Sequence, residues 1–112
     1  MKISIIIPAY NEEKRISNTL KSYAEFFKDL KKRKILDFEI IIVINNTSDR
    51  TEEIVEEHSK RYKEISYINF KQGGKGFAII EGFKEALKRN NNLIGFVDAD
   101  MSTSPSAFNS LI

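Results

Sequence analysis

Apolar positions along this chain follow two rhythms, and the switches between them mark out its elements. Residues 2–7 (Lys-Ile-Ser-Ile-Ile-Ile) are a β-branched run closed by Pro8, which predicts a buried strand. From residue 12 to about residue 33, Ile16, Leu20, Tyr23, Phe27 and Leu30 recur at steps of three and four, one face of a long helix. Asn11 or a neighbour is placed to cap it. Glu12 and Glu13 would fall in its first turn and Lys31, Lys32, Arg33 and Lys34 in its last, as the helix dipole favours. Residues 38–44 predict a second buried strand, and residues 45–50 a polar loop. A helix from residue 51 to about 63 carries a thin apolar stripe of Ile54, Val55, His58 and Tyr62. Residues 65–70 predict a third strand, 71–76 a glycine loop, and 77–89 a helix with Ile80, Phe83 and Leu87 on its inner face and Gly82 permitting close packing. A fourth apolar strand, 93–98, ends in Asp98-Ala99-Asp100, and a last helix begins near Pro105.

The order β-α-β-α-β-α-β-α predicts a parallel sheet covered by helices on both faces, a three-layer α/β/α domain. Sheets of this kind bind ligands at the carboxyl ends of their strands. Four loops share that edge, starting at Pro8, Asn45, Lys71 and Asp98, and they hold nearly all the distinctive polar residues.

Composition narrows the class. The 112 residues allow one domain with one core, and 41% apolar with 30% charged residues fits a soluble globular protein. A net charge of +2 is too near balance for a general nucleic-acid surface. With no cysteine there is neither disulfide nor thiolate chemistry. No apolar run approaches the roughly 18–20 residues that span a bilayer, and the N-terminal stretch lacks the length and cleavage site of a signal peptide. The expected location is cytoplasmic.

The candidate chemistry lies in two loops. In an extended chain Asp98 and Asp100 would point the same way off the carboxyl end of a strand while Ala99 turns aside. Two carboxylates so placed repel each other unless a cation is near, and hard divalent cations prefer oxygen ligands. The alternative is a turn feeding a helix capped within Ser102-Thr103-Ser104-Pro105. Gly73-Gly74-Lys75-Gly76 opens a helix, where glycines admit an anion to backbone N–H groups and Lys75 adds a full charge, a combination suited to a diphosphate. Glycines there are also ordinary turn punctuation. The spacing is neither that of a P-loop nor that of a dinucleotide-binding Gly-x-Gly-x-x-Gly.

Three stretches in order carry a resemblance: Ile7-Pro8-Ala9-Tyr10-Asn11-Glu12-Glu13, Gly74-Lys75-Gly76-Phe77-Ala78, and Asp98-Ala99-Asp100-Met101-Ser102-Thr103-Ser104-Pro105. Together they resemble the nucleotide-binding half of GT-A glycosyltransferases of family 2, and among these the polyprenyl- (dolichyl-) phosphate hexose synthases. The resemblance implies a GT-A, Rossmann-like sheet, with residues 1–112 as the nucleotide-sugar-binding half and the acceptor-binding half absent. It implies that Pro8, Ala9, Tyr10 and Glu12 hold the nucleoside and that Lys75 sits near the diphosphate or sugar. Asp98 would face ribose or metal, and Asp100 would coordinate Mg²⁺ or Mn²⁺, making this pair the catalytic carboxylates. A hexose would pass from UDP- or GDP-hexose to a polyprenyl phosphate, at the cytoplasmic face of a membrane in the full-length protein.

One departure bears on the nucleotide. Where the family usually has Asp-Asp-Gly-Ser and then Asp-x-Thr, this chain has Asn45-Asn46-Thr47-Ser48-Asp49-Arg50-Thr51. An Asn both accepts and donates, which suits uracil's N–H beside a carbonyl; guanine's two adjacent donors suit a carboxylate better. UDP is therefore the expected nucleotide, unless Asn45 and Asn46 only shape the turn. The amides also favour an alternative, a non-catalytic nucleotide-sugar module. A flavodoxin- or receiver-like domain matches the strand rhythm but accounts for neither Lys75 nor the run from Asp98 to Pro105. Leu111 and Ile112 continue an apolar helical pattern, as in a piece of a longer protein, so the expected behaviour is weak nucleotide binding and little or no transfer. Exposed apolar surface would then favour a homodimer. His58 is expected to be structural, the basic run 31–34 a solvated helix end, and Tyr10 either a base-stacking or a packing residue.

Overall fold

A computed structural model of the chain describes residues 1–71 and 73–112. Gln72 of the glycine loop lies outside the described residues. Strands β1 (Lys2–Ala9), β2 (Asp37–Asn45), β3 (Ile65–Phe70) and β4 (Leu93–Phe96) form one sheet in the order β3-β2-β1-β4. All three pairings are parallel, with Ile5 opposite Ile40 and Gly95. Helices α1 (Ile16–Lys32), α2 (Thr51–Arg61) and the short α4 (Pro105–Asn109) contribute to the core on one face, and α3 (Lys75–Leu87) covers the other.

β1 and β2 are central, and their sequences show why. Ile3, Ile5, Ile7, Phe38, Ile40, Ile42 and Ile44 point to the face of α1 and α2, while Ile6, Ile41 and Val43 point to α3. A strand lined with aliphatic side chains on both faces must be covered twice. β1 runs through Pro8 rather than stopping there, with Pro8 opposite Val43. The N–H of Val97 bonds the carbonyl of Ile6, so even-numbered residues of β1 turn their backbone groups toward β4. β4 has ended at Phe96, and the N–H that proline lacks would face no ladder partner.

Several boundaries differ from the pattern in the sequence. α1 starts at Ile16, not residue 12, and Arg15 before it offers no side-chain cap. Asn11 adopts a left-handed φ of 49° and its side-chain oxygen accepts from the Ser48 N–H of the next loop, so it does not cap the helix. Glu12 and Glu13 precede the first turn; the Glu12 carbonyl accepts from the N–H groups of Arg15 and Ile16. The predicted inner face of α1 is otherwise as expected: Ile16, Leu20, Tyr23, Phe27 and Leu30 are all buried. α2 ends at Arg61 because Tyr62 is extended. β4 is a half-exposed edge strand of four residues rather than a buried strand reaching Asp98.

The largest correction concerns α3. Its buried stripe is Ala78, Gly82 and Ala86, while Ile80 and Leu87 are 57% and 72% exposed. Small residues let the helix sit tightly on β1 and β2. A Cβ built at Gly82 would lie 2.6 Å from Ile6 Cγ2 and 3.2 Å from Val43 Cγ2. Phe83 packs edge-on against Phe96, with ring centroids 6.0 Å apart. His58 is structural as expected: nearly buried between α1 and α2, its Nδ1 is 2.9 Å from the Ile54 carbonyl oxygen and Nε2 3.4 Å from Ser17 Oγ. Gly82→Val should destabilise the fold by about 3 kcal/mol, the upper range for overpacking a filled core. Gly76→Ala, directed into open space, should leave stability level or raise it by up to about 1 kcal/mol. Urea unfolding of the two variants checks both.

Candidate functional site

Because all four strands run the same way, their carboxyl ends open onto one edge. There a cleft of about 540 Å³ is lined by Pro8, Ala9, Tyr10 and Glu12 after β1, Asn45 and Asn46 after β2, Gly73, Gly74, Lys75 and Ala78 at the start of α3, and Asp98, Ala99 and Asp100 after β4. Its size is typical of small-ligand sites. Every residue singled out in the sequence as a nucleotide or metal contact lines it.

The aspartates reach the cleft by a different route from the extended strand inferred above. After Phe96 the chain turns: Met101 has a φ of 58° and its N–H reaches the Asp98 carbonyl at 3.3 Å. Asp100 Oδ1 accepts from the N–H of Ser102 at 3.0 Å, closing an Asx turn. Ala99 is buried, and its carbonyl oxygen accepts from the Thr19 hydroxyl at 2.6 Å. The Tyr23 hydroxyl donates to the Thr103 carbonyl, also at 2.6 Å, and burial raises its pKa to about 12. Two side chains one turn apart on α1 thus hold the aspartate loop from behind. Nothing in the sequence marks them, since the contacts span 80 residues.

Asp98 and Lys75 are paired. Lys75 Nζ lies 2.5 Å from Asp98 Oδ1, and Ser102 Oγ donates to Asp98 Oδ2 at 3.3 Å. The Lys75 hydrogen bond holds the Asp98 carboxyl below its ordinary pKa, against a smaller push upward from burial. The same bond raises Lys75. No described side chain caps the α3 terminus behind Lys75, and the first N–H groups of a helix have no intrahelical partner.

The Asn45 amide divides its two functions. Nδ2 donates to the Gly73 carbonyl at 2.9 Å, pinning the glycine loop to β2. Oδ1 is buried and has no partner among the described residues. The paired donor and acceptor expected for uracil are thus not both free on Asn45; the acceptor is. Asn46 is exposed, with a φ of 53° and its N–H bonded to the Phe70 carbonyl at 2.7 Å. Tyr10 is 57% exposed at the cleft rim, which excludes a packing role. Glu12 Oε1 is buried; the Arg15 guanidinium touches it as an ion pair without hydrogen-bond alignment.

A polar clasp joins the loops after β1 and β2, and it was not apparent from the sequence. Thr51 Oγ1 accepts from the Glu12 N–H at 2.8 Å and donates to Asp49 Oδ1 at 2.5 Å. Asp49 also takes the N–H groups of Thr51 (2.9 Å) and Glu13 (3.2 Å). Asn11 Oδ1 accepts from the Ser48 N–H at 2.9 Å.

The sequence model of glycosyl transferase family 2 matches residues 4–112. The chain belongs to this family. Among curated relatives of this family 2 chain, a dolichyl-phosphate beta-glucosyltransferase of Trichomonas vaginalis is 37% identical over 108 residues, which cover 95% of this chain and 32% of the relative. The dolichol-phosphate mannosyltransferase of Pyrococcus furiosus is 31% identical over 112 residues, 100% of this chain and 29% of the relative. The chain thus spans about a third of the length of these relatives. Among solved structures, the mannosyltransferase of Pyrobaculum calidifontis in complex with GDP-Man and Mn²⁺ superposes with a TM-score of 0.69 at 20% identity, over 88% of this chain and 27% of that one. Glucosyl-3-phosphoglycerate synthase of Mycobacterium tuberculosis, with Mn²⁺, UDP and phosphoglyceric acid, gives 0.62 at 22% identity over 88% of this chain and 32% of that one. The family and the GT-A sheet are as the motifs implied. No described helix is long and apolar enough to cross a membrane.

The clasp makes a pH prediction. Burial raises the Asp49 pKa, but the bonds from the Thr51 hydroxyl, the Thr51 N–H and the Glu13 N–H outweigh it, leaving the carboxyl below its ordinary value. A carboxylate with a lowered folded pKa contributes stability that is complete above its unfolded pKa of about 4 and lost as pH falls through the folded one. Asp49→Asn should cost about 1–2 kcal/mol at pH 7. Its stability should also fall less steeply than the parent's between about pH 4.5 and 3, read by urea unfolding at each pH.

Proposed function

We propose that this chain is the donor-binding part of a glycosyltransferase that moves a hexose from a nucleoside diphosphate sugar, UDP in preference to GDP, to a polyprenyl or dolichyl phosphate at the cytoplasmic face of a membrane. The observation that carries this reading is the convergence of Lys75, the uncapped α3 terminus and two carboxylates on one cleft at the carboxyl edge of the sheet. Lys75 and the first N–H groups of α3 take the diphosphate. Tyr10 offers its ring to the base, and Pro8, Ala9 and Glu12 wall the nucleoside. The unpartnered Asn45 Oδ1 accepts one N–H, which uracil supplies; guanine would leave a second donor unmet.

The residues present fit a divalent cation. Asp98 and Asp100 supply hard oxygen donors, and no group of three or more acidic, His or Cys side chains is assembled among the described residues. Such a pair leaves positions open for phosphate oxygens, the mode Mg²⁺ and Mn²⁺ adopt with nucleotides. Asp100 would be the principal ligand, with Asp98 beside it. The cation, when bound, neutralises charge on the departing nucleoside diphosphate. The acceptor class is supported by the names of the relatives. The second reading, a non-catalytic nucleotide-sugar module, draws on the amides Asn45 and Asn46 in place of acids. It would gain if UDP-hexose binds with metal but no hexose reaches an added polyprenyl phosphate.

Thermal unfolding with UDP or GDP, with and without Mn²⁺, tests the donor site. At 100 times its dissociation constant a ligand adds about 2.7 kcal/mol, roughly 10 °C for a chain of this size. The expected result is a Mn²⁺-dependent shift, larger with UDP and lost in Asp100→Ala; an equal or larger shift with GDP would refute the nucleotide assignment. Ile80 and Leu87 on α3 and Leu93 and Phe96 on β4 are large apolar side chains left exposed, which supports self-association. Sedimentation velocity should show a dimer that Phe96→Lys dissociates, and a monomer at all concentrations would end that idea.

A further inference from the structure

We propose that Lys75 occupies the place of the divalent cation at Asp98 when no nucleotide is bound, so that metal and nucleoside diphosphate enter together rather than independently. This rests on the donor-site reading above and adds to it an order of events. The Lys75 ammonium lies against Asp98 Oδ1, and Ser102 takes Oδ2. Asp98 therefore already has a cation and a hydrogen-bond donor. Among the described residues Asp100 has no cation within ion-pair distance, Lys75 being paired with Asp98, and its Oδ1 is engaged by the Ser102 N–H. In the free protein a metal ion would meet one available carboxylate and a positive charge beside the second. One carboxylate in water is a poor Mg²⁺ or Mn²⁺ site, and like charges at this range repel.

A diphosphate removes the obstacle. It offers Lys75 acceptors with more charge than one carboxylate, and it lies where the α3 terminus favours anions. Both ends of the Lys75–Asp98 pair are about half exposed, at 61% and 46% of their side chains, so the exchange costs no buried contact. Lys75 swings to the phosphates, Asp98 is released, and the two carboxylates with the phosphate oxygens form the cation site. Linkage then requires that UDP tighten Mn²⁺ by the factor by which Mn²⁺ tightens UDP.

The test is Mn²⁺ binding by electron paramagnetic resonance, with and without UDP, on the 112-residue chain and on Lys75→Met. UDP affinity is read by calorimetry in parallel. Lys75→Met should bind Mn²⁺ alone about tenfold more tightly than the parent, bind UDP more weakly, and show a coupling between the two reduced by a similar factor. Asp98→Asn added to Lys75→Met should return Mn²⁺ affinity to the parent level, and Lys75→Arg should behave as the parent. If the parent binds UDP with Mn²⁺ but Lys75→Met binds Mn²⁺ no more tightly, the Lys75 inference is overturned and the donor site stands. If the parent binds Mn²⁺ yet no UDP under any condition, the donor-site reading fails and the coupled uptake fails with it.

Discussion

The parallel pairing of β1 with β2 is the constraint on which the rest of this structure depends. Eight consecutive residue pairs, from Lys2 with Asp37 to Ala9 with Ile44, lock two strands that are aliphatic on both sides. A shift of one residue would turn every side chain to the opposite layer. Ile6, Ile41 and Val43 would then lose the shallow bed that Ala78, Gly82 and Ala86 require. The register is thus set twice, once by the bulky layer under α1 and α2 and once by the thin layer under α3. With it fixed, the loops after Ala9 and Asn45 must leave side by side, and the cleft lies between them.

Around that frame the cleft is held by polar contacts of long sequence separation. Thr51 and Asp49 join the first two loops, Asn45 joins the second to Gly73, and Thr19 and Tyr23 hold the aspartate loop. These side chains hold backbone; of the groups facing the cleft, Lys75 pairs with Asp98, Ser102 bonds one oxygen of each aspartate, and the Asn45 oxygen has no partner among the described residues. A second polar cluster lies at the opposite end of the sheet. There buried Glu39 takes the Ser4 hydroxyl at 2.5 Å and the Arg89 guanidinium at 2.8 Å, fastening the C-terminal end of α3. α3 is thereby fixed at one end and free of a side-chain cap at the other, the end that carries Lys75.

The sequence made the sheet legible because period-two and period-3.6 patterns record burial directly, and β1, β2, β3 and the inner face of α1 follow those patterns closely. It misled at α3, where Ile80 and Leu87 look outward, Phe83 is only partly buried, and the fully buried stripe of Ala78, Gly82 and Ala86 consists of residues that hydrophobicity ranks low. It misled at β4 for a related reason: an apolar run reads the same whether the strand is central or at an edge. The β-α rhythm of the sequence sent four loops to one edge, and the family motifs within those loops singled out the residues that line the cleft. The clasp and the α1 supports could not be named in advance, since a Thr or Tyr on a helix gives no sign of which distant carbonyl it will meet.

The hold of α1 on the aspartate loop has a dynamic consequence. Loops on a protein surface usually open by themselves, at little free-energy cost and with rapid amide exchange. This one is tied through Ala99 and Thr103 to two residues of the main core, with Phe108 lying against Gly95 on the same side. It cannot peel away without breaking into the packing of Tyr23 and Phe27. The segment carrying Asp98 and Asp100 therefore opens more slowly than a loop without such ties, and the mobility the site needs falls to the Lys75 side chain across the cleft.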